Sequence, residues 1–281
     1  MSFFLSLTAY SVLLCVTPIV SFSAEATQGE SEHFSADAAT LYDTASKAVS
    51  SSGADALIIE SEEHVSFDAE GKTIRTRYYL YKILTQKGAS EWANIGASWE
   101  PWHEERPTLR ARVITPDYTV HSLDPQTISD EPSKQTADDL FSDLRVVRAP
   151  LPAVALGSLV EEEQVFKQNA PLFGGAVVER TYFSASVPIR HSRLVVEAPS
   201  ALPLRYDIRS LPDLKPLRTD ADGRVRIVFD SGPIDAVEDV DANLPSDVPA
   251  FSSVTFSTGI SWQHRHLVSS DLEGSADGVA H

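Results

Sequence analysis

Two short constellations carry metal-ligand spacing. Asp239, Asp241 and Asn243 place oxygen ligands at alternate positions, as the first half of a calcium loop does. The second half departs from that pattern, with Leu244 at the glycine position and Ala250 at that of the bidentate glutamate. The triplet is a candidate cation loop, and a solvated acidic loop is the plainer expectation. His264 and His266 would share a face in a strand and could ligate a metal, but no carboxylate or third histidine is close in sequence. His103-Glu104-Glu105-Arg106-Pro107 begins like a zinc-protease helix. The second histidine is missing and Pro107 would disrupt the helix, so a polar loop between strands is expected. No Gly-x-Ser-x-Gly elbow supports a serine nucleophile, and Gly71-Lys72 lacks the upstream glycine of a phosphate loop. These readings lead to no catalytic residue, no metal and no cofactor.

Aromatic residues offer a different chemistry. Tyr78, Tyr79 and Tyr81 fall in one stretch, followed by Trp92, Trp99 and Trp102. In a strand, Tyr79 and Tyr81 share a face while Tyr78 points to the other. Tyr79, Tyr81 and Trp99 are a candidate binding face for stacking on a sugar or a peptide, against sheet core as the commoner role. Arg75 and Arg77 have the parity of Tyr79 and Tyr81, which implies partial solvation and guanidinium groups beside rings.

The composition narrows the choice. The chain has 281 residues, 42% of them apolar, enough for one large or two small domains with a core. Its net charge is −17, from 23 Lys plus Arg against 40 Asp plus Glu. That charge disfavours nucleic acid or an anionic membrane surface as the main partner. The only cysteine, Cys15, sits in an apolar stretch from Tyr10 to Val20. No charged residue precedes Ala24 except the amino terminus, and small-x-small patterns follow at Ser21-Phe22-Ser23 and Ala24-Glu25-Ala26. This is the layout of an export signal over residues 1–23, although its first residues lack the usual positive charge. An uncleaved anchor is the alternative, and the run is short and interrupted by Ser11, Thr17 and Pro18. Leu14 before Cys15 does not suit lipid attachment. Cleavage after Ser23 or Ala26 would leave a mature chain without cysteine, which excludes a thiol nucleophile, and contact with a membrane would come only through an uncleaved signal.

The elements that must position these groups are mostly strands. Ser35 to Ser52 reads as one helix, with Leu41, Ala45, Ala48 and Val49 at helical spacing, Ser35 as cap and Gly53 as stop. Ala56 to Phe67 reads as a strand with Leu57, Ile59, Val65 and Phe67 on one parity. A turn at Asp68-Ala69-Glu70-Gly71 joins it to a second strand, Ile74 to Leu84, as a hairpin. Further strands are expected at 92–99, 109–114, 120–123, 159–166, 177–183, 189–197, 204–209 and 225–229. One leading helix and many short strands predict an all-β, mainly antiparallel fold, a large β-sandwich. The expected organisation is a signal at 1–23, a polar lead-in and helix at 24–55, the sandwich at 56–262 and a disordered tail at 263–281. The polar stretch Asp124 to Ser142 could hold a boundary, and Asp230 to Pro249 reads as an acidic surface segment.

Several segments in order resemble one family. They are Tyr78-Tyr79-Leu80-Tyr81-Lys82-Ile83-Leu84-Thr85 with Gly88, Ala111-Arg112-Val113-Ile114-Thr115-Pro116-Asp117, Leu151-Pro152-Ala153-Val154 with Gly157-Ser158-Leu159-Val160-Glu161, and Phe256-Ser257-Thr258-Gly259-Ile260-Ser261-Trp262. From about Glu60 to Trp262 the chain resembles the N-terminal domain of unknown function that precedes a transglutaminase-like domain in exported bacterial proteins. The resemblance implies a β-sandwich and an export route. It implies no reaction, because the family's catalytic Cys, His and Asp belong to the following domain. Tyr118 stands where the family's turn usually has glycine, and after Trp262 the pattern gives way to Gln263 to His281, as in a truncated member. The resulting expectation is a non-catalytic accessory domain whose partner is a transglutaminase-like domain, a peptide or a glycan. A stand-alone glycan- or peptide-binding module is the alternative.

Overall fold

The computed structural model describes residues 33–48, 53–133, 143–171, 177–237 and 251–258. The chain divides into residues 1–35 and 36–281, and the elements below all belong to the second unit. In order they are α1 (Ala38–Ser46), β1 (Ala56–Phe67), β2 (Thr73–Ile83), α2 (Gln86–Glu91), β3 (Asn94–Trp99), β4 (Thr108–Ile114), β5 (Val120–Ser122), β6 (Ser129–Pro132), β7 (Arg145–Pro150), β8 (Leu159–Lys167), β9 (Val178–Tyr182), β10 (Ser192–Pro199), β11 (Arg205–Arg209), β12 (Leu217–Ala221), β13 (Arg224–Ser231) and β14 (Ser253–Ser257). The fold is all-β, as the strand pattern predicts.

An eight-stranded sheet runs β12-β13-β10-β1-β2-β8-β4-β5, with β1 and β10 parallel and its other pairs antiparallel. Two three-stranded sheets, β3-β7-β6 and β11-β14-β9, lie against the same face of it. That face carries Tyr79, Tyr81 and Ile83 of β2, Val160 and Phe166 of β8, and Leu109, Ala111 and Val113 of β4. They meet Ile95, Ala97, Val147 and Ala149 of the β3-β7-β6 sheet in a first core. Farther along, Val65, Phe67, Leu194, Val196, Ile227 and Phe229 meet Val254 and Phe256 in a second core. Phe67 and Phe256 pack edge to face, 6.3 Å between centroids, and burying each such ring contributes about 2 kcal/mol or more.

The β1–β2 hairpin forms as expected, its turn held by Asp68, which accepts from the Glu70 and Lys72 amides. The single parity expected along β1 does not hold. A bulge between Ile58 and Glu60 inserts one residue, so Ala56 and Ile58 face the first core while Leu57 is buried on the opposite face. Beyond the bulge the core-facing positions are Ser61, Glu63, Val65 and Phe67, and one strand thereby serves both cores.

Helix α1 is shorter than its periodicity suggests. Asp37, not Ser35, caps it by accepting from the Thr40 amide at 3.0 Å. It lies over one end of the sheet's other face, where Tyr42 donates to the Gly157 carbonyl and Lys82 Nζ to Ser46 Oγ. The polar stretch after Asp124 folds back at first, since β6 pairs with β7. Tyr118, at the turn position where glycine is usual, has φ of +65°. That left-handed backbone costs a non-glycine residue roughly 1 kcal/mol. Its ring packs edge on against Tyr42 and its hydroxyl donates to Asp43, which offsets the cost.

Helix α2 has no counterpart in the sequence reading. Thr85 caps it, and Gly88 sits against the backbone of Asp55, where a Cβ would overlap the Asp55 carbonyl oxygen. That oxygen already accepts from the Leu84 amide, so it cannot move freely. Gly88→Ala should therefore lower the unfolding free energy by about 2 kcal/mol, read from the midpoint of urea denaturation. A change under a few tenths would mean that the helix shifts at no cost.

Candidate functional site

The structure brings Tyr79, Tyr81 and Trp99 together, but inside the first core rather than on an open face. Tyr81 is 2% exposed, its ring is 4.9 Å from that of Trp92, and its hydroxyl donates to Glu162. Tyr79 and Trp99 are half-buried against the same cluster. Parity is as read, but the β3-β7-β6 sheet covers this face, so the candidate binding face is corrected to sheet core, the commoner of its two roles. Asp239, Asp241, Asn243, His264 and His266 lie outside the described residues. Among the described residues, no three His, Cys, Asp or Glu side chains group as metal ligands.

The notable chemistry lies in buried charge that the sequence reading missed. Along β1, between the two cores, stands Glu63, and beside it on β2 are Arg75 and Arg77. Glu179 of β9 reaches in from the covering sheet and pairs with Arg75. Arg75 Nε lies 3.2 Å and Arg77 Nε 3.6 Å from Glu63, though neither Nε makes a well-directed hydrogen bond. The Arg77 guanidinium stands over the Phe166 ring, 5.2 Å from its centroid. Burial raises the Glu179 carboxyl, and the Arg75 charge offsets part of that rise. These four side chains form an ionic seam between two apolar clusters.

Strand β8 carries a second set. Glu161, Glu162, Glu163 and Gln164 are all at most 8% exposed, because β2 and β4 flank the strand on both edges. Glu161 accepts from the Tyr78 hydroxyl at 2.9 Å and pairs with Arg112 on the outer face. Glu162 points the other way, into the first core. Burial pushes its carboxyl up to about 7, against hydrogen bonds from Tyr81 and Gln164 that favour the charged form. The available signal was the run Glu161-Glu162-Glu163-Gln164 between Val160 and Val165 in a strand otherwise apolar. A carboxyl near neutrality is suited to proton transfer, but Glu162 is closed off from any substrate.

His103 lies in the loop expected between strands, here β3 and β4, but it is buried there. It is 5% exposed, its carbonyl accepts from the amides of Asn169 and Ala170, and Trp102 lies over its ring. At the turn of the β1–β2 hairpin an open cleft of about 490 Å3 is lined by Ser66, Asp68, Lys72, Lys167 and Arg224, among others. Asp68, Glu105 and Glu197 balance its three cations, so its charge selects no class of ligand.

The fold and these sites together define an all-β sandwich whose buried carboxylates are held by its own arginines and tyrosines. The sequence matches the domain of unknown function with solved-structure structure (DUF3857) over residues 69–238. The chain belongs to that family. No curated protein matches it. Among solved structures it is similar to a candidate protease from Parabacteroides distasonis, with TM-score 0.65 and 15% identity over 73% of this chain and 40% of that one. An M1 zinc metallopeptidase from Deinococcus radiodurans matches with TM-score 0.36 and 11% identity, over 72% of this chain and 42% of that one. The first likeness shows a shared fold, and the second carries no argument. The chain thus spans about 40% of the length of the solved structures it resembles.

Proposed function

We propose that the chain is a non-catalytic accessory module of an exported protein of the transglutaminase-like class, exported through the signal at residues 1–23. The observation that carries this reading is the partial span. The sandwich shares its fold with 40% of a larger chain described as a candidate protease. The engagement of Glu63, Glu161, Glu162 and Glu179 with internal partners supports the same view. The sequence resemblance names the class of the neighbouring domain.

Two measurements test it. Purified residues 24–281 should cleave neither casein nor a fluorogenic peptide mixture. Hydrolysis that follows the protein through purification, and is abolished by one Ser or His substitution, would make it an enzyme instead. The DNA that follows the codon of His281, read in all three frames, should contain a Cys-His-Asp region of the transglutaminase-like kind. Its absence would sink the association and favour a stand-alone binder.

A further inference from the structure

Trp102 is 54% exposed, and it is held in place. Its ring lies 4.1 Å from that of His103, tilted by 45°, and its indole N–H donates to Glu100 Oε2 at 3.1 Å. The support beneath is buried. The His103 side chain is 6% exposed, and its Nδ1 points toward the same Glu100 oxygen at 3.4 Å without a hydrogen-bond partner. Glu100 in turn is fixed by its own amide, which donates to Glu104 Oε2, while the Glu105 amide donates to the Lys167 carbonyl. A tryptophan that only filled space would bury its ring. Here one side rests on a buried histidine, the edge is pinned, and the remaining surface faces solvent.

We propose that the Trp102 ring and the Glu100 carboxylate form a binding site for an ammonium group, as carried by a polyamine or a lysine side chain. The reasons are electrostatic. The face of an indole is the best aromatic partner for a cation. Glu100, still 40% exposed, puts a negative charge at the edge of that ring. The chain's net charge of −17 draws cations toward its surface from a distance and repels anions. Preorganisation adds to the argument, since a ring already fixed loses little conformational freedom when a ligand settles on it. The site is distinct from the accessory role proposed above and does not depend on it.

Spermidine and a capped Ala-Lys-Ala-Lys-Ala-Lys peptide, titrated into residues 24–281 with isothermal titration calorimetry as readout, test the site. Maltohexaose serves as the neutral glycan. Both amines should give a saturable heat of binding and bind more weakly at high salt. Trp102→Ala should weaken binding about tenfold and Glu100→Gln about threefold. The glutamine can still accept from the indole, so this variant removes charge and keeps geometry. Thermal melts of both variants should stay close to that of the parent, because the replaced surface is exposed. Binding of spermidine without the peptide would support the site and assign it to free polyamines; the reverse would assign it to lysine side chains. Amine binding unaltered by either substitution overturns the proposal. So does a Trp102-dependent response to maltohexaose alone, or no response to any probe at about 10 mM.

Discussion

Arg75→Met is expected to lower the stability of the sandwich by about 3–5 kcal/mol at pH 7, the cost of leaving buried carboxylates without their cation. Arg75 is the side chain that joins Glu63 of the main sheet to Glu179 of the covering sheet. Its side chain is 23% exposed and its partners 10% and 12%, so water screens the arrangement only in part. Arg77 would remain beside Glu63, 3.6 Å away, but Glu179 would lose its ion pair. The pH dependence follows from the direction of the Glu179 shift. Its folded-state pKa is raised above the unfolded value, so the folded chain holds the proton more tightly. The stability this supplies is full below the unfolded pKa and is lost as pH rises through the folded one. Without Arg75 the carboxyl rises further, and the penalty of the substitution should shrink as pH falls and grow as pH rises. Urea denaturation at several pH values measures this. The triple variant Arg75→Met, Glu63→Gln, Glu179→Gln removes the charges together and should recover most of the loss. A penalty below about 1 kcal/mol would mean that the seam is open to water and the pairs behave as surface ones.

The seam also shows why part of the molecule is legible in the sequence and part is not. The alternation in Thr73–Ile83 correctly put Arg75, Arg77, Tyr79 and Tyr81 on one face and Tyr78 on the other. Alternation says which residues share a face. It does not say what covers that face. The two covering sheets include β7, Arg145–Pro150, and β14, Ser253–Ser257, respectively. Both are short, and each lies next to a polar stretch that reads as loop. The edge strand β12, Leu217–Ala221, is exposed at every position and has no alternating signal at all. With those strands unread, arginines beside tyrosines looked solvated, when they lie in and beside a seam between two cores. The bulge at Ile58–Glu60 was hidden for a similar reason. Leu57 and Ile59 alternate well on their own, and only pairing with β2 shows where the register slips. The turn at Tyr118 was the opposite case, since Thr115-Pro116-Asp117 marked it and the left-handed backbone duly falls on the next residue.

Glu162→Gln should make the protein more stable above neutral pH and nearly flat in its pH response. The wild-type carboxyl rises from 4.5 to about 7 in the folded state, chiefly through burial in the first core. That rise corresponds to about 3 kcal/mol. Its sign is that of a raised acid. The neutral form fits the core, so the contribution is complete below about pH 4.5 and is lost progressively as pH climbs through 7. Melting temperature measured from pH 5 to pH 9 should therefore fall in the parent and not in Glu162→Gln, apart from what the seam adds to both. The amide keeps an acceptor for the Tyr81 hydroxyl, which lies 3.2 Å from the carboxylate, and it never has to carry a buried charge. Parallel melting curves across that range would show that the carboxyl ionises without penalty, and hence that water reaches β8 through the first core. Tyr81→Phe separates burial from hydrogen bonding. The Tyr81 hydroxyl favours the charged carboxylate, so removing it leaves burial less opposed and should move the pH midpoint of the parent curve upward. A downward move would place Glu162 in a wetter setting than its neighbours Tyr81, Val160 and Ala111 provide.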